Sequence, residues 1–114
     1  MFDGQPKEII VYATSDGVEP FAGWLKALRD AQARKRIRVR LERLETQGNP
    51  GDYKTVGNGV YELRIDYGPG YRIYLAFAGT QVVLLLCGGD KATQMRDIER
   101  AQEFWRDYQQ RSKP

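Results

Sequence analysis

The chain has 114 residues, of which 41% are hydrophobic and 29% are charged, and it carries a formal net charge of +3. These values predict a single soluble globular domain over residues 1–114, with its core at about residues 7–110, and they argue against a disordered or collagen-like chain. Because the sequence has no histidine and a single cysteine, Cys87, it excludes an internal disulfide, a Cys/His zinc site and a Ser-His-Asp triad.

The first half of the chain predicts one strand followed by a helical hairpin. Residues 8–13 form an apolar run that is typical of a strand, and turn residues follow it. Pro20 suits the first turn of a helix, and Asp30 can cap a second helix that ends at Gly48. The apolar stripe of the first helix consists of Phe21, Trp24, Leu25 and Leu28. The stripe of the second helix consists of Ile37, Leu41 and Leu44.

The second half of the chain changes to the two-residue period of β-strands. We predict four further strands, over residues 53–56, 60–67, 71–78 and 82–87. The last of them is apolar on both faces, which predicts cover on both sides and an inert thiol at Cys87, and Gly88-Gly89 is expected to end it. A helix is then predicted from about residue 90 or 93 to about residue 108, with an apolar side at Ile98, Ala101, Trp105 and Tyr108. This β-α-α-β-β-β-β-α order indicates an α+β fold with helices packed on an antiparallel sheet.

No segment of the sequence is typical of a membrane span or an export signal. The apolar run 82–87 is far shorter than the roughly 20 residues that cross a bilayer. Residues 1–6 lack a basic region followed by an apolar stretch, so no signal peptide is predicted. We therefore expect a cytoplasmic protein that holds no structural metal and uses no cofactor.

The turn Gly68-Pro69-Gly70 joins two alternating strands, and a three-residue loop there would set their register. That register pairs Tyr67 with Tyr71, Asp66 with Arg72, and Arg64 with Tyr74. One face of the hairpin would then be polar, and Lys54 and Lys91 could add positive charge at its rim. The face is either solvated, with ion pairs between its own strands, or it is the floor of a binding site.

Six basic residues lie within ten positions of the second predicted helix. They are Arg34, Lys35, Arg36, Arg38, Arg40 and Arg43. Such a run is either a solvated helix face or a surface that contacts RNA phosphates. The sequence leaves both interpretations open.

Three motifs of the second half occur in a fixed order: VYELRI at residues 60–65, GYRIY at 70–74 and LLLCGGDK at 84–91. Their spacing resembles that of the addiction-module killer proteins, which are HigB-like toxins of the RelE/ParE superfamily. The resemblance extends over about residues 7–110 and implies the toxin of a type II toxin–antitoxin module. It also implies the RelE/ParE-like fold, with an antiparallel sheet and the helices on one side.

Members of the RelE branch cleave mRNA in the ribosomal A site without a metal, so the resemblance implies a ribosome-dependent mRNA endonuclease that inhibits translation. Arg64, Arg72 and Lys91 match the basic positions of the family, and Lys54 is a looser match. The histidine of some HigB toxins and the C-terminal tyrosine of RelE have no counterpart in this chain.

RNA cleavage by the neighbouring 2′-hydroxyl needs a base, an acid and positive charge at the phosphorane. Arg64 and Arg72 could supply that charge through bidentate contacts to phosphate oxygens. Tyr74 could donate a proton or stack against a nucleobase. The candidates for the general base are Lys91, Lys54, Asp66, Asp90 and Glu62.

Two alternatives to the endonuclease stay open, and the first arises because the superfamily also contains gyrase inhibitors. The chain could be a ParE-like toxin that acts on gyrase through its helical hairpin, or a catalytically inactive module that only binds an antitoxin. The partners that the resemblance implies are a cognate antitoxin of the helix-turn-helix type, the ribosome and mRNA, with the basic run on ribosomal RNA phosphates. No membrane partner is expected.

Overall fold

The elements follow the predicted order, and the fold is α+β, as predicted. The structure is a computed structural model that describes residues 1–113. The strands are β1 (Glu8–Val11), β2 (Tyr53–Thr55), β3 (Tyr61–Ile65), β4 (Tyr71–Gly79) and β5 (Val82–Asp90). The helices are α1 (Pro20–Ala27), α2 (Ala31–Gln47) and α3 (Gln94–Arg111), and a short 3₁₀ helix, Lys91–Thr93, precedes α3.

The five strands form one mixed sheet in the order β1-β5-β4-β3-β2. The strands β2 to β5 pair antiparallel, as predicted, whereas β1 pairs parallel with β5, with Glu8 opposite Val82. The prediction of an antiparallel sheet therefore holds for β2 to β5, and the parallel strand β1 makes the whole sheet mixed. Without β1, the apolar strand β5 would expose its backbone at the edge of the sheet.

The register of β3 and β4 differs from the predicted one by two residues. Ile65 pairs with Tyr71, and Arg64 lies directly opposite Arg72, so the connecting loop has five residues, 66–70. Tyr67 leaves the strand, because its hydroxyl donates a hydrogen bond to Asp30 Oδ2 over 3.0 Å at the start of α2. The predicted pairs Tyr67–Tyr71, Asp66–Arg72 and Arg64–Tyr74 are therefore wrong.

The helices cover both faces of the sheet, and not one face as the resemblance implied. The hairpin of α1 and α2 packs on one face, where Ile37 belongs to the same buried cluster as Ile73 and Leu75. The helix α3 covers the other face, where Ala101 packs with Tyr74. The apolar side predicted for α3 faces the sheet here and is covered by it. Within residues 1–113, no helix combines the length and the apolar composition that crossing a membrane requires.

The strand β5 continues through Gly88 and Gly89, which were expected to end it. A Cβ atom on Gly88 would overlap the indole of Trp24 in α1, and one on Gly89 would overlap the carboxylate of Asp97 in α3. The two glycines therefore let a helix approach the sheet closely from each side. The strand carries on to Asp90, which places Lys91 at the end of the sheet.

Candidate active site beside the loop between β3 and β4

Three basic residues from separate elements line one pocket beside the loop 66–70. Arg64 comes from β3, Arg72 from the neighbouring position on β4, and Lys91 from the 3₁₀ helix. The pocket has a volume of about 390 Å³. Its lining consists of Asp52, Arg64, Asp66, Gly68, Pro69, Gly70, Arg72 and Lys91. The structure thus brings together three of the six residues predicted to be catalytic.

The backbone of Arg64 is fixed while its side chain stays partly exposed. Its amide donates to the carbonyl of Asp52 over 2.9 Å, and its own carbonyl accepts from Arg40. The side chain is 38% exposed, and its Nε lies 3.7 Å from Asp52 Oδ2, beyond hydrogen-bond distance. Among residues 1–113, no group accepts a hydrogen bond from this Nε. This Nε is itself buried, whereas the partly exposed side chain as a whole lines the pocket and brings its positive charge there.

Arg72 lies deeper, with only 10% of its side chain exposed. Its Nη1 donates to the carbonyl of Tyr71 over 3.3 Å. A Cβ atom on Gly70 would lie 3.4 Å from that Nη1 and 3.5 Å from the Cβ of Lys91, so all three residues meet at the pocket. Gly70 also has a φ of +80°, a left-handed conformation that favours glycine.

Behind Arg72 lies a buried polar network that involves two strands and α3. Glu62 is fully buried, and its Oε2 accepts from the Tyr74 hydroxyl over 3.0 Å and from Gln94 Nε2 over 2.8 Å. Burial, and then the adjacent Glu62 carboxylate, raise the pKa of Tyr74. Because Tyr74 is fully buried and does not line the pocket, it is not placed to donate a proton or to stack against a nucleobase there.

The two remaining predicted catalytic residues also lie outside the pocket lining. Asp90 Oδ1 accepts hydrogen bonds from the backbone amides of Ala92 and Thr93, and thereby caps the 3₁₀ helix. Lys54 is exposed on β2 at the position opposite Glu62. The pocket instead contains two carboxylates, Asp52 and Asp66, which were not among those six residues.

Gln94 is a member of this site that the sequence did not predict. It is the donor from α3 that reaches the buried Glu62. An acid at an inward position of a strand indicates that some donor must satisfy it. No spacing rule connects that strand position to a residue 32 positions later.

The basic run of α2 divides into exposed and structural residues. Lys35, Arg36, Arg38 and Arg43 are exposed. A groove of about 400 Å³ lies along this helix, and its lining includes Lys35, Arg36, Arg43 and Asp66. Because Asp66 also lines the first pocket, the groove and the pocket adjoin.

Arg40 and Arg34 make contacts within the fold. The guanidinium of Arg40 donates to the carbonyls of Arg64, Pro50 and Asp52, and burial lowers its pKa. Arg34 donates to the carbonyl of Leu28. These two residues therefore hold parts of the fold together through backbone carbonyls, which favours the structural alternative at these two positions.

Comparison with known proteins places the chain in a family. The family model "Phage derived protein Gp49-like (DUF891)" matches residues 23–106, which include the whole lining of the pocket. A protein of Haemophilus influenzae, described as an uncharacterized protein, is 49% identical over 81 residues, which are 71% of this chain and 81% of that protein. The chain therefore belongs to the Gp49-like family of phage-derived proteins.

Proposed function

We propose that this protein is the toxin of a type II toxin–antitoxin module and a metal-independent, ribosome-dependent mRNA endonuclease that inhibits translation. The observation that carries the proposal is the convergence of Arg64, Arg72 and Lys91 on one pocket. Membership of the Gp49-like family, which is a toxin-like family of toxin–antitoxin systems, supports the toxin role. The HigB-like motifs support cleavage of RNA.

The proposed reaction is a transesterification within the RNA. The 2′-oxygen attacks the adjacent phosphorus, the bond from phosphorus to the 5′-oxygen breaks, and a 2′,3′-cyclic phosphate and a 5′-hydroxyl result. Arg64 and Arg72 face the phosphorane from neighbouring strands and stabilise its second negative charge. Lys91 adds a third cation at the end of β5.

The ionisable groups of the pocket lining carry out the proton transfers in this mechanism. Asp52 and Asp66 could accept the proton of the 2′-hydroxyl, and Lys91 could supply one to the leaving 5′-oxygen. None of these groups is a histidine, which titrates near neutrality without any perturbation. In this mechanism the ribosome orients the mRNA and thereby supplies much of the rate.

The groove along α2 serves the same function in this proposal. Its exposed cations, Lys35, Arg36 and Arg43, would contact phosphates of ribosomal RNA beside the pocket. Arg38 is also exposed on this helix and would add to the same field. A cognate antitoxin of the helix-turn-helix type would hold the toxin inactive until it is released.

Expression of the chain without an antitoxin, followed by mapping of mRNA 5′ ends, tests the proposal. We expect growth arrest and new ends within translated messages for the parent protein. Arg64→Ala should abolish both effects, because it removes a cation from the pocket without disturbing the backbone. Arg106→Ala, which removes an exposed arginine of α3, is the matched control and should behave like the parent.

Intact transcripts during growth arrest by the parent, or unchanged cleavage by a folded Arg64→Ala variant, would contradict the endonuclease. DNA damage signalling with unchanged mRNA would indicate the gyrase inhibitor instead.

One observation favours a second candidate, the catalytically inactive module that binds an antitoxin. Lys54, Asp90 and Tyr74, all candidates for proton transfer, do not line the pocket. Normal growth and intact mRNA without an antitoxin, together with retained binding to it, would support this candidate.

A further inference from the structure

Glu62 is a buried charge that the proposed reaction does not use. Its side chain is fully buried on the α3 face of the sheet. One carboxylate oxygen, Oε2, accepts two hydrogen bonds, from Tyr74 and Gln94. The other, Oε1, accepts none from residues 1–113, and it lies 3.7 Å from Nε of Arg72. A buried carboxylate oxygen without a donor is costly unless a charge lies close to it.

The guanidinium of Arg72 has two edges that face different surroundings. Its Nε faces Glu62 in the interior of the protein. Its Nη1 and Nη2 lie 3.4 and 4.0 Å from the Cβ position of Gly70, on the side where the pocket is. Because a guanidinium is planar and rigid, an interaction at Nε also sets the direction of the two Nη atoms.

We propose that Glu62 is a positioning residue, whose carboxylate lies behind Arg72 and directs the Nη edge of the guanidinium towards a phosphate in the pocket. Tyr74 and Gln94 hold the carboxylate in turn. A movement of about 0.8 Å would bring Nε and Oε1 to the distance of a charge-assisted hydrogen bond. The effect on cleavage rests on the proposed function, whereas the effect on the Arg72 side chain does not.

Positioning and simple electrostatics predict different kinetics. Neutralising Glu62 makes the pocket more positive, so electrostatics alone would strengthen the binding of RNA. If Glu62 positions Arg72, its neutralisation also misplaces the guanidinium in the transition state and slows turnover. A fall in kcat without a rise in KM is therefore the signature of positioning.

The test uses Glu62→Gln, which keeps the size of the side chain and removes its charge. The NMR signal of the Arg72 Nε–H group, assigned by its loss in Arg72→Lys, should shift and exchange faster with solvent. Cleavage of ribosome-bound mRNA should fall on the order of tenfold to a hundredfold in kcat, with no rise in KM. Glu99→Gln, which neutralises an exposed acid of α3, is the control and should change neither.

Gln94→Ala provides a second variant, which keeps the charge of Glu62 and removes one donor to it. It should shift the Arg72 signal in the same direction by a smaller amount, and it decides the question if Glu62→Gln does not fold. An unchanged Arg72 signal in the folded variants overturns the inference, as does a rise in KM with unchanged kcat. If the parent protein cleaves no RNA, the proposed function fails, and the NMR signal still decides whether Glu62 positions Arg72.

Discussion

Buried charges of this protein differ in how completely their hydrogen bonds are satisfied. Lys7 is 2% exposed, and its ammonium donates to Asp3 Oδ1 at 2.5 Å, to the Gln5 carbonyl at 2.6 Å and to Gln81 Oε1 at 2.9 Å. Three acceptors match its three donors, so this cation is structural. Glu62 differs, because its Oε1 accepts no hydrogen bond from residues 1–113 and lies 3.7 Å from Nε of Arg72.

Cys87 should be unreactive in the native protein. Burial raises the pKa of its thiol to about 12, so almost no thiolate forms at neutral pH. Because this pKa lies above the ordinary value of 9.0, the folded protein holds the thiol proton more tightly than the unfolded chain does. The resulting contribution to the free energy of unfolding is present below the ordinary pKa and is lost as the pH rises through the pKa of the folded protein. The rate of labelling by a disulfide reagent, measured in native buffer and in concentrated guanidinium chloride, checks this. Fast labelling of the native protein would contradict it.

Gly89→Ala should destabilise the protein strongly. The added methyl group overlaps the Asp97 carboxylate, and relieving that overlap costs about 1–3 kcal/mol or more. Gly23→Ala is the matched control, because nothing lies within 4 Å of the new Cβ and alanine is the better helix former. It should stabilise by about 0.5–1 kcal/mol. Urea denaturation measures both, and equal midpoints for the two variants would refute the steric argument.

Arginine side chains connect elements that are distant in the sequence. Arg40 joins α2 to the loop before β2 and to β3, through three backbone carbonyls. Arg111 joins the end of α3 to the segment after β1, where it donates to the Ala13 carbonyl over 2.6 Å. These contacts hold the helices in place beside the sheet, on either side of it.

Arg40→Ala should cost about 1.5–3 kcal/mol of stability, the usual contribution of hydrogen bonds from a charged group. Arg38→Ala, an exposed neighbour on the same helix, should change stability by less than about 0.5 kcal/mol. The free energy of unfolding from urea titration separates the two. Equal losses would show that Arg40 is an ordinary surface residue.

Asp107 should make the junction of α3 and β1 sensitive to acid. Hydrogen bonds from Tyr12 and then Arg111 lower the pKa of Asp107, so its contribution to stability is present above about pH 4, the ordinary range of aspartate. It is lost as the pH falls through the folded value. Asp107→Asn should therefore lower Tm at neutral pH, and its difference from the parent should shrink in acid. A difference independent of pH would argue against this ion pair.

At the scale of the whole molecule, two cation-rich depressions lie side by side. The pocket and the groove along α2 adjoin at Asp66, and together they display cations from two strands, a helix and the 3₁₀ helix. Clustered charge of this kind attracts polyanions from a distance, and its effect falls with ionic strength.

Replacement of Lys35, Arg36 and Arg43 by alanine should weaken binding to ribosomes and reduce its dependence on salt. Each cation that no longer neutralises a phosphate lowers the slope of log K against log salt by about 0.7–0.9. Co-sedimentation with ribosomes at several salt concentrations measures that slope. The single variant Lys26→Ala, on α1, should leave it unchanged, and an unchanged slope in the triple variant would exclude this surface.

Local signals in the sequence predicted the elements well, because they depend on neighbours within a few residues. Asp30 caps α2 by accepting from the amides of Gln32 and Ala33, and Gly48 ends the helix with a φ of +67°. The apolar stripes also lie where the helical period placed them, against the sheet. The sequence by itself thus determined the order of elements, the α+β class and the family motifs.

Only the tertiary structure decided how distant elements meet. The side chain of Tyr67 leaves its strand for Asp30, which moves the register of the hairpin, and α3 takes the open face of the sheet, which buries Tyr74. The tertiary structure also places Arg64, Arg72 and Lys91 in one pocket. It brings Gln94 to Glu62, where the amide donates a hydrogen bond to the carboxylate. Such contacts depend on packing between segments far apart in the chain, and no pattern of neighbouring residues records that packing.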